Sequence, residues 1–219
     1  MFIGHFALGF AAKRVAPRVP LAMLFVGAQF ADLLWPTLLL LGVERVEIAP
    51  GVTAMTPLDF VSYPYSHSLV ALCLWGAAFG GVYAAVRRVR VFTALVLGLL
   101  VVSHWVLDFV THRRDMPLTL HGPERVGLGL WFSVPGTLAV ESLVFGVGLA
   151  LYLRATAARD RIGSYGLWSL VAFLLVVYLA SSFGPPPPSA TAVAWSAQAM
   201  WLLVVWGYWV DNHRMPNWN

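Results

Sequence analysis

Cysteine is all but missing from this chain. Cys73 stands alone inside an apolar run, so no intrachain disulfide can form and no thiolate cluster can hold a metal. Charge is scarce as well. Asp, Glu, Lys and Arg make up 11% of the residues, against about a quarter in an ordinary soluble domain. Hydrophobic residues make up 59% and the mean hydropathy is +0.75. That balance excludes a water-soluble globule and marks an integral membrane protein. The apolar runs are long and continuous, unlike the alternating strands of about ten residues in a membrane barrel. The expected fold is therefore all-α: a polytopic helical bundle forming a single membrane domain over residues 1–219. Met1 to Ala12 lacks a basic start, Lys13 and Arg14 following the apolar stretch instead of preceding it, so no cleavable signal is expected. No internal repeat is evident.

Six stretches approach the length of about 20 apolar residues that crosses a bilayer: residues 20–42, 67–86, 91–112, 137–154, 165–183 and 193–210. The first twelve residues are too short to span and read as a half-inserted or re-entrant helix. The connections 43–66 and 113–136 carry Pro and Gly, and "GPPPPSAT" reads as a rigid hinge that cannot be helical throughout. The net charge of +4 does not point to nucleic acid, because the basic residues fall in short clusters between apolar runs. Lys13, Arg14, Arg18, Arg87, Arg88, Arg90, Arg154, Arg159, Arg161 and Arg214 all fall on one side of a consistent alternation. Positive residues favour the cytoplasmic side, so both ends of the six-span bundle are expected there. Arg45, Arg113, Arg114 and Arg125 fall on the other side.

Against this apolar background the stretch "SHWVLDFVTHRRD" is anomalous. His104, Asp108 and His112 recur every four residues, drifting only about 40° per step round a helix, so they share one stripe. Asp32 lies toward the outer end of the first span and His67 opens the second. Glu141 sits one turn inside the fourth, His121 lies in the outer connection, and His5 lies in the N-terminal helix. All are expected at similar depth on the extracytoplasmic side. A charge at a helix centre costs roughly 2.5–3.5 kcal/mol on insertion scales, so such groups pair, coordinate or face a watery cavity. Asp, Glu and His without thiolates suit zinc first, with manganese or iron as alternatives, and their number allows one or two ions. Any one of His5, His121 or Glu141 alone reads equally well as a structural hydrogen-bonder between helices. Asp59, Glu44 and Glu47 read as solvated loop charges, and Asp211 and His213 lie at the opposite, cytoplasmic end. The ten Trp residues read as interface anchors and packing.

The succession "GHFALG", "FADLLWP", "YSHSL" and "SHWVLDFVTH" resembles the YdjM-type family of membrane-bound metal-dependent hydrolases, over roughly residues 1–145. That bacterial inner-membrane family is distantly similar to zinc-dependent phospholipase C. Ser103-His104, Leu107-Asp108 and Thr111 match its third-span motif, His5 its N-terminal His, and His67-Ser68 its central His-Ser. Two positions depart from it: Ala31-Asp32-Leu33-Leu34 keeps one acid where the family has two, and Tyr63-Pro64-Tyr65 replaces an Arg-Gly. The resemblance implies a hydrolase of the bacterial inner membrane whose site faces the periplasm. His5, His67, His104 and Asp108 would hold a divalent metal, with His112 and Asp32 completing that site or holding a second ion. Asp32 or Glu141 would serve as the base. Arg113, Arg114 and Arg125, with His121, would meet an anionic small-molecule or lipid substrate, such as a phosphoester headgroup. The alternative is a transporter or a non-enzymatic accessory subunit that keeps the same His/Asp site. The near absence of charge in the inner half of the bundle disfavours a permeation path, and the lack of C-x-x-C-H together with Asp108 on the same face disfavours haem.

Overall fold

The computed structural model describes residues 1–217 and is mostly helical. Its first helices are short: α1 (Ile3–Ala12), α2 (Leu21–Ala28), α3 (Phe30–Leu40) and the single turn α4 (Pro64–His67). Long apolar helices follow, α5 (Leu69–Arg87), α6 (Val91–Thr111), α7 (Val134–Ala155) and α8 (Arg161–Phe183). The last stretch divides into α9 (Ala190–Gln198) and α10 (Met200–Asn212). Five segments among the described residues are long and apolar enough to cross a membrane: α5, α6, α7, α8 and the run Ala190–Asn212. A sixth is added if α2 and α3 count as one. The chain is a multi-pass membrane protein.

Two sequence expectations need correction, and the short N-terminal helix gains a position. The bundle is not purely helical, because its loops pair as short antiparallel strands. These are β1 (Arg45–Ile48) with β2 (Leu58–Ser62), β3 (Met116–Pro117) with β4 (Arg125–Val126), and β5 (Thr156–Ala158) with β6 (Arg214–Pro216). Strand pairs of this kind satisfy backbone amides that would otherwise lie unpaired close to the apolar layer. Next, the stretch 20–42 is broken: α2 and α3 meet at 61° across Gln29. The break releases the Ala28 carbonyl from the helical ladder, and Pro36 removes the donor that would have bonded the Asp32 carbonyl. Finally, α1 lies inside the bundle. Ile3, Phe6, Ala7 and Phe10 are fully buried, and Phe25 receives the edges of Phe6 and Phe10 at 5.1 and 5.0 Å. The proline run behaves as expected: helix resumes only at Ala190, capped by the Ser189 hydroxyl, which accepts from Ala192 N at 3.1 Å.

Helices in a membrane are not driven together by exclusion of water, so close backbone approach matters. A Cβ on Gly76 would fall 2.6 Å from the Gly98 carbonyl oxygen, which sets how tightly α5 and α6 pack. A Cβ on Gly148 would collide with the Ala7 carbonyl, which brings α1 flush against α7. Interhelical hydrogen bonds, at about 0.6–2 kcal/mol each, then fix the ends of α1. Glu141 Oε2 accepts from the amides of Phe2 and Gly4 at 3.0 and 3.4 Å. At the other end Lys13 Nζ donates to Asp211 Oδ2 at 2.6 Å and to the Val19 carbonyl at 2.9 Å. Asp211 also accepts from Leu21 N and the Tyr152 hydroxyl, so it is a structural pin. Held this way, α1 presents His5 at a fixed height against α6.

Candidate metal centre

Asp108 is the hub. Its carboxylate lies on the buried stripe of α6 with His104 one turn before it. Oδ1 is 3.0 Å from His5 Nε2 and 2.6 Å from the Met1 amine. Oδ2 is 3.2 Å from His104 Nε2, 3.9 Å from His67 Nε2 and 4.0 Å from His112 Nε2. Asp32, in the first turn of α3, stands 3.4 Å from His67 Nε2 and 3.7 Å from His104 Nε2. The rings of His5 and His104 are stacked with centroids 3.6 Å apart. Two triads have ligand atoms close enough to share one cation each: His5, His104 and Asp108, and Asp32, His67 and His104. The stripe read from the four-residue spacing is thus met by side chains from α1, α3 and α4.

What holds the imidazoles is more telling than their proximity. His104 Nδ1 lies 2.9 Å from the Ala28 carbonyl, which can only accept, so Nδ1 carries the proton and donates. The helix break at Gln29 is what makes that carbonyl available. His67 Nδ1 is 2.7 Å from Ser66 Oγ, and Ser66 Oγ donates to Glu44 Oε2 at 2.5 Å. With its own hydrogen committed to a carboxylate, the Ser66 oxygen accepts from His67 Nδ1. Glu44 Oε1 meanwhile accepts the amides of Tyr65 and Ser66 at 2.8 and 2.9 Å. His112 Nδ1 donates to Asp115 Oδ1 at 3.0 Å. All three rings are therefore anchored through Nδ1, leaving Nε2 lone pairs aimed at the Asp108 carboxylate. This is the outer support that orients metal-binding imidazoles.

The donor set fits a cation. His104 Nε2 makes no hydrogen bond although a carboxylate oxygen lies 3.2 Å away. Two lone-pair-bearing atoms at that separation repel unless a proton or a metal ion is shared between them. Nitrogen and oxygen ligands without sulfur suit zinc, manganese or iron. His5, His104 and Asp108 could hold one ion and Asp32, His67 and His104 another, with His112 Nε2 4.0 Å from Asp108 Oδ2.

Other residues take different places. Glu141 lines the adjoining cavity, with one oxygen committed to the start of α1. Arg113 donates to Asp115 Oδ2 at 3.0 Å and to Asp59, so it buttresses the loop that holds His112. Arg114 is exposed in a turn, Arg125 donates to the carbonyls of Gly122 and Glu124, and His121 meets the edge of Tyr65. None of these three Arg and His121 lines the cavity. At an interface, guanidinium groups find local carboxylates and water, and loop position does not fix which way they turn. Glu44 corrects the reading of a solvated loop charge: it is 3% exposed, with both oxygens bound. Sequence reasoning also missed Ser66, Tyr63 and Asp115. Asp115 alone carried a signal, its three-residue spacing from His112. Burial, and then the Asp115 carboxylate, push the Tyr63 hydroxyl well above the usual phenol range, so it stays a donor.

The cluster opens into a cavity of about 640 Å³, reached by Asp32, His67, Asp108, His112 and Glu141. The Asp32 side chain, 26% exposed, is the most open of the clustered groups. No family model matches this chain, and comparison with curated proteins and with solved structures finds no match either.

Proposed function

We propose that this protein is a membrane-embedded, metal-dependent hydrolase of phosphoesters. The observation that carries the reading is the convergence of three Nδ1-anchored imidazoles on Asp108, with the His104 nitrogen facing an oxygen it does not hydrogen-bond. The phosphoester class rests on the resemblance to YdjM-type hydrolases and on a ligand set suited to cations that bind phosphate oxygens. The concentration of basic residues at the opposite end of the bundle supports a site on the extracytoplasmic side of a bacterial inner membrane.

When bound, the metal would lower the pKa of a water toward neutrality and draw charge from the phosphoryl oxygens. The protein's own groups do the rest. His104, His67 and His112 are prevented from turning by Ala28, Ser66 and Asp115, so little reorganisation accompanies the reaction. Asp32, open to the cavity, takes the proton of the attacking water. The water oxygen bonds to phosphorus, the ester P–O bond breaks, and the leaving alkoxide collects the proton. Glu141 is the weaker candidate for the base, since its carboxylate already holds the Phe2 and Gly4 amides.

Elemental analysis of the purified protein, followed by turnover of a chromogenic phosphodiester, tests this. The expected result is one or two equivalents of a transition metal, with hydrolysis abolished by chelation and restored by zinc or manganese. Protein that cannot be loaded with metal rejects the reading. Protein that binds metal but never turns over substrate belongs with the accessory or transport class instead.

A further inference from the structure

The cavity does not end at the cluster. Beyond His67 and Asp108 it continues as an apolar cleft between α8 and the α9–α10 run, lined by Phe173, Val177, Val193, Met200, Leu203 and Trp206. Both flanking segments, Arg161–Phe183 and Ala190–Asn212, are long and apolar enough to cross a membrane. Phe173, 44% exposed on the flank of the bundle, and the exposed Leu202 stand at the cleft's edge, so it opens sideways toward acyl chains. A site for a small soluble ester needs no such extension. Its volume, about 640 Å³ with the cluster end included, falls among ligand-sized sites of about 300–1,000 Å³.

A second observation is independent of shape. Trp35 Nε1, Tyr178 Oη and Trp206 Nε1 are buried and make no hydrogen bond to any described residue, yet all three residues line this cavity. Buried indole and phenol groups normally find an acceptor. The three donors are shielded from the empty cleft, so a ligand carrying oxygen acceptors and a hydrocarbon chain meets them only as these side chains turn toward it.

We propose that the cavity is a phospholipid site. The phosphate reaches the His/Asp cluster, an acyl chain lies between α8 and α10, and Trp35, Tyr178 and Trp206 turn their shielded donors to the ester oxygens as the lipid enters. This rests on the phosphoester reading for the fate of the headgroup; the seat of the chain stands without it.

The test uses delipidated full-length protein in detergent and native mass spectrometry with two probes, oleoyl lysophosphatidic acid and glycerol phosphate, beside a metal assay. Wild type is expected to hold the oleoyl probe at least about tenfold more tightly than glycerol phosphate, the margin of roughly two buried methylenes. Val177→Trp and Ala197→Trp, which fill the cleft, should remove that preference while metal content and glycerol phosphate binding stay unchanged. Tyr178→Phe deletes only an unpartnered hydroxyl, so it should fold normally and still weaken the oleoyl probe. Equal affinity for both probes, or a preference untouched by all three substitutions, overturns the lipid site and leaves a hydrolase of soluble esters. A cleft-dependent preference in protein that takes up no metal keeps the lipid site and rejects the hydrolase.

Discussion

Glu44 and His67 are joined through one hydroxyl: the Ser66 oxygen receives the imidazole proton at 2.7 Å and passes its own to the carboxylate at 2.5 Å. The link fixes both the ring and its tautomer, because Ser66 Oγ is the hydrogen-bond partner of His67 Nδ1. Ser66→Ala removes the relay and leaves Glu44 bound to the backbone amides of Tyr65 and Ser66. Metal affinity should fall about 10–100-fold, read by competition with a chelating indicator, with the melting temperature nearly unchanged. Wild-type affinity in this variant would show that the relay does not orient a ligand.

Asp108 belongs to one triad and touches His104, the residue both triads share, so its replacement should empty the first and disturb the second. Asp108→Asn keeps the shape but halves the acceptor capacity and removes the charge. Bound metal and turnover should drop to background together, as they should in His104→Ala. Retained metal with lost turnover in Asp108→Asn would make the carboxylate a proton acceptor instead of a ligand.

The placement of His5 depends on a packing contact far from the cluster. Gly148→Leu forces α1 away from α7, at a cost of about 1–3 kcal/mol for overpacking. Gly146, where an added Cβ meets nothing within 4 Å, serves as its control. A lowered melting temperature and weakened metal binding are expected in Gly148→Leu and neither in Gly146→Leu. If both behave alike, the close approach at Ala7 does not set the height of His5.

Arg113 and Arg125 should part company. Arg113→Ala frees the Asp115 carboxylate that anchors His112, so metal binding should weaken several-fold. Arg125→Ala touches only local loop carbonyls and should leave metal and turnover alone. A raised KM in Arg125→Ala would restore the substrate contact that the loop sequence first indicated.

At the opposite end of the bundle Asp160 caps α8 through Gly163 N at 2.8 Å and accepts from His213 Nδ1 at 2.7 Å. The His213 bond, then the amide of Gly163, hold its carboxyl below the usual aspartate value of 3.8. A depressed folded value means that the contribution is complete above the unfolded value and disappears as pH falls through the folded one. Thermal melts of wild type and Asp160→Asn should therefore differ at neutral pH and converge in acid below that range. The gap should be small, since the pair is exposed and solvent screens it. A gap that widens on acidification would mean that the carboxylate contributes by some other route.

Membrane residence, the positions of the long helices and the four-residue stripe of α6 were legible in the sequence because each is a one-dimensional property. Apolar length decides whether a helix spans, and helical periodicity decides which residues share its face. The break at Gln29, the burial of α1 and the support of each imidazole were decided only by the tertiary structure. Glu44 looks like any loop acid until β1 and α4 are brought together around it, and the Ala28 carbonyl is invisible as a ligand support until its helix stops. A backbone acceptor or a loop carboxylate has no periodic signature; its role is set by which helix end it meets in space.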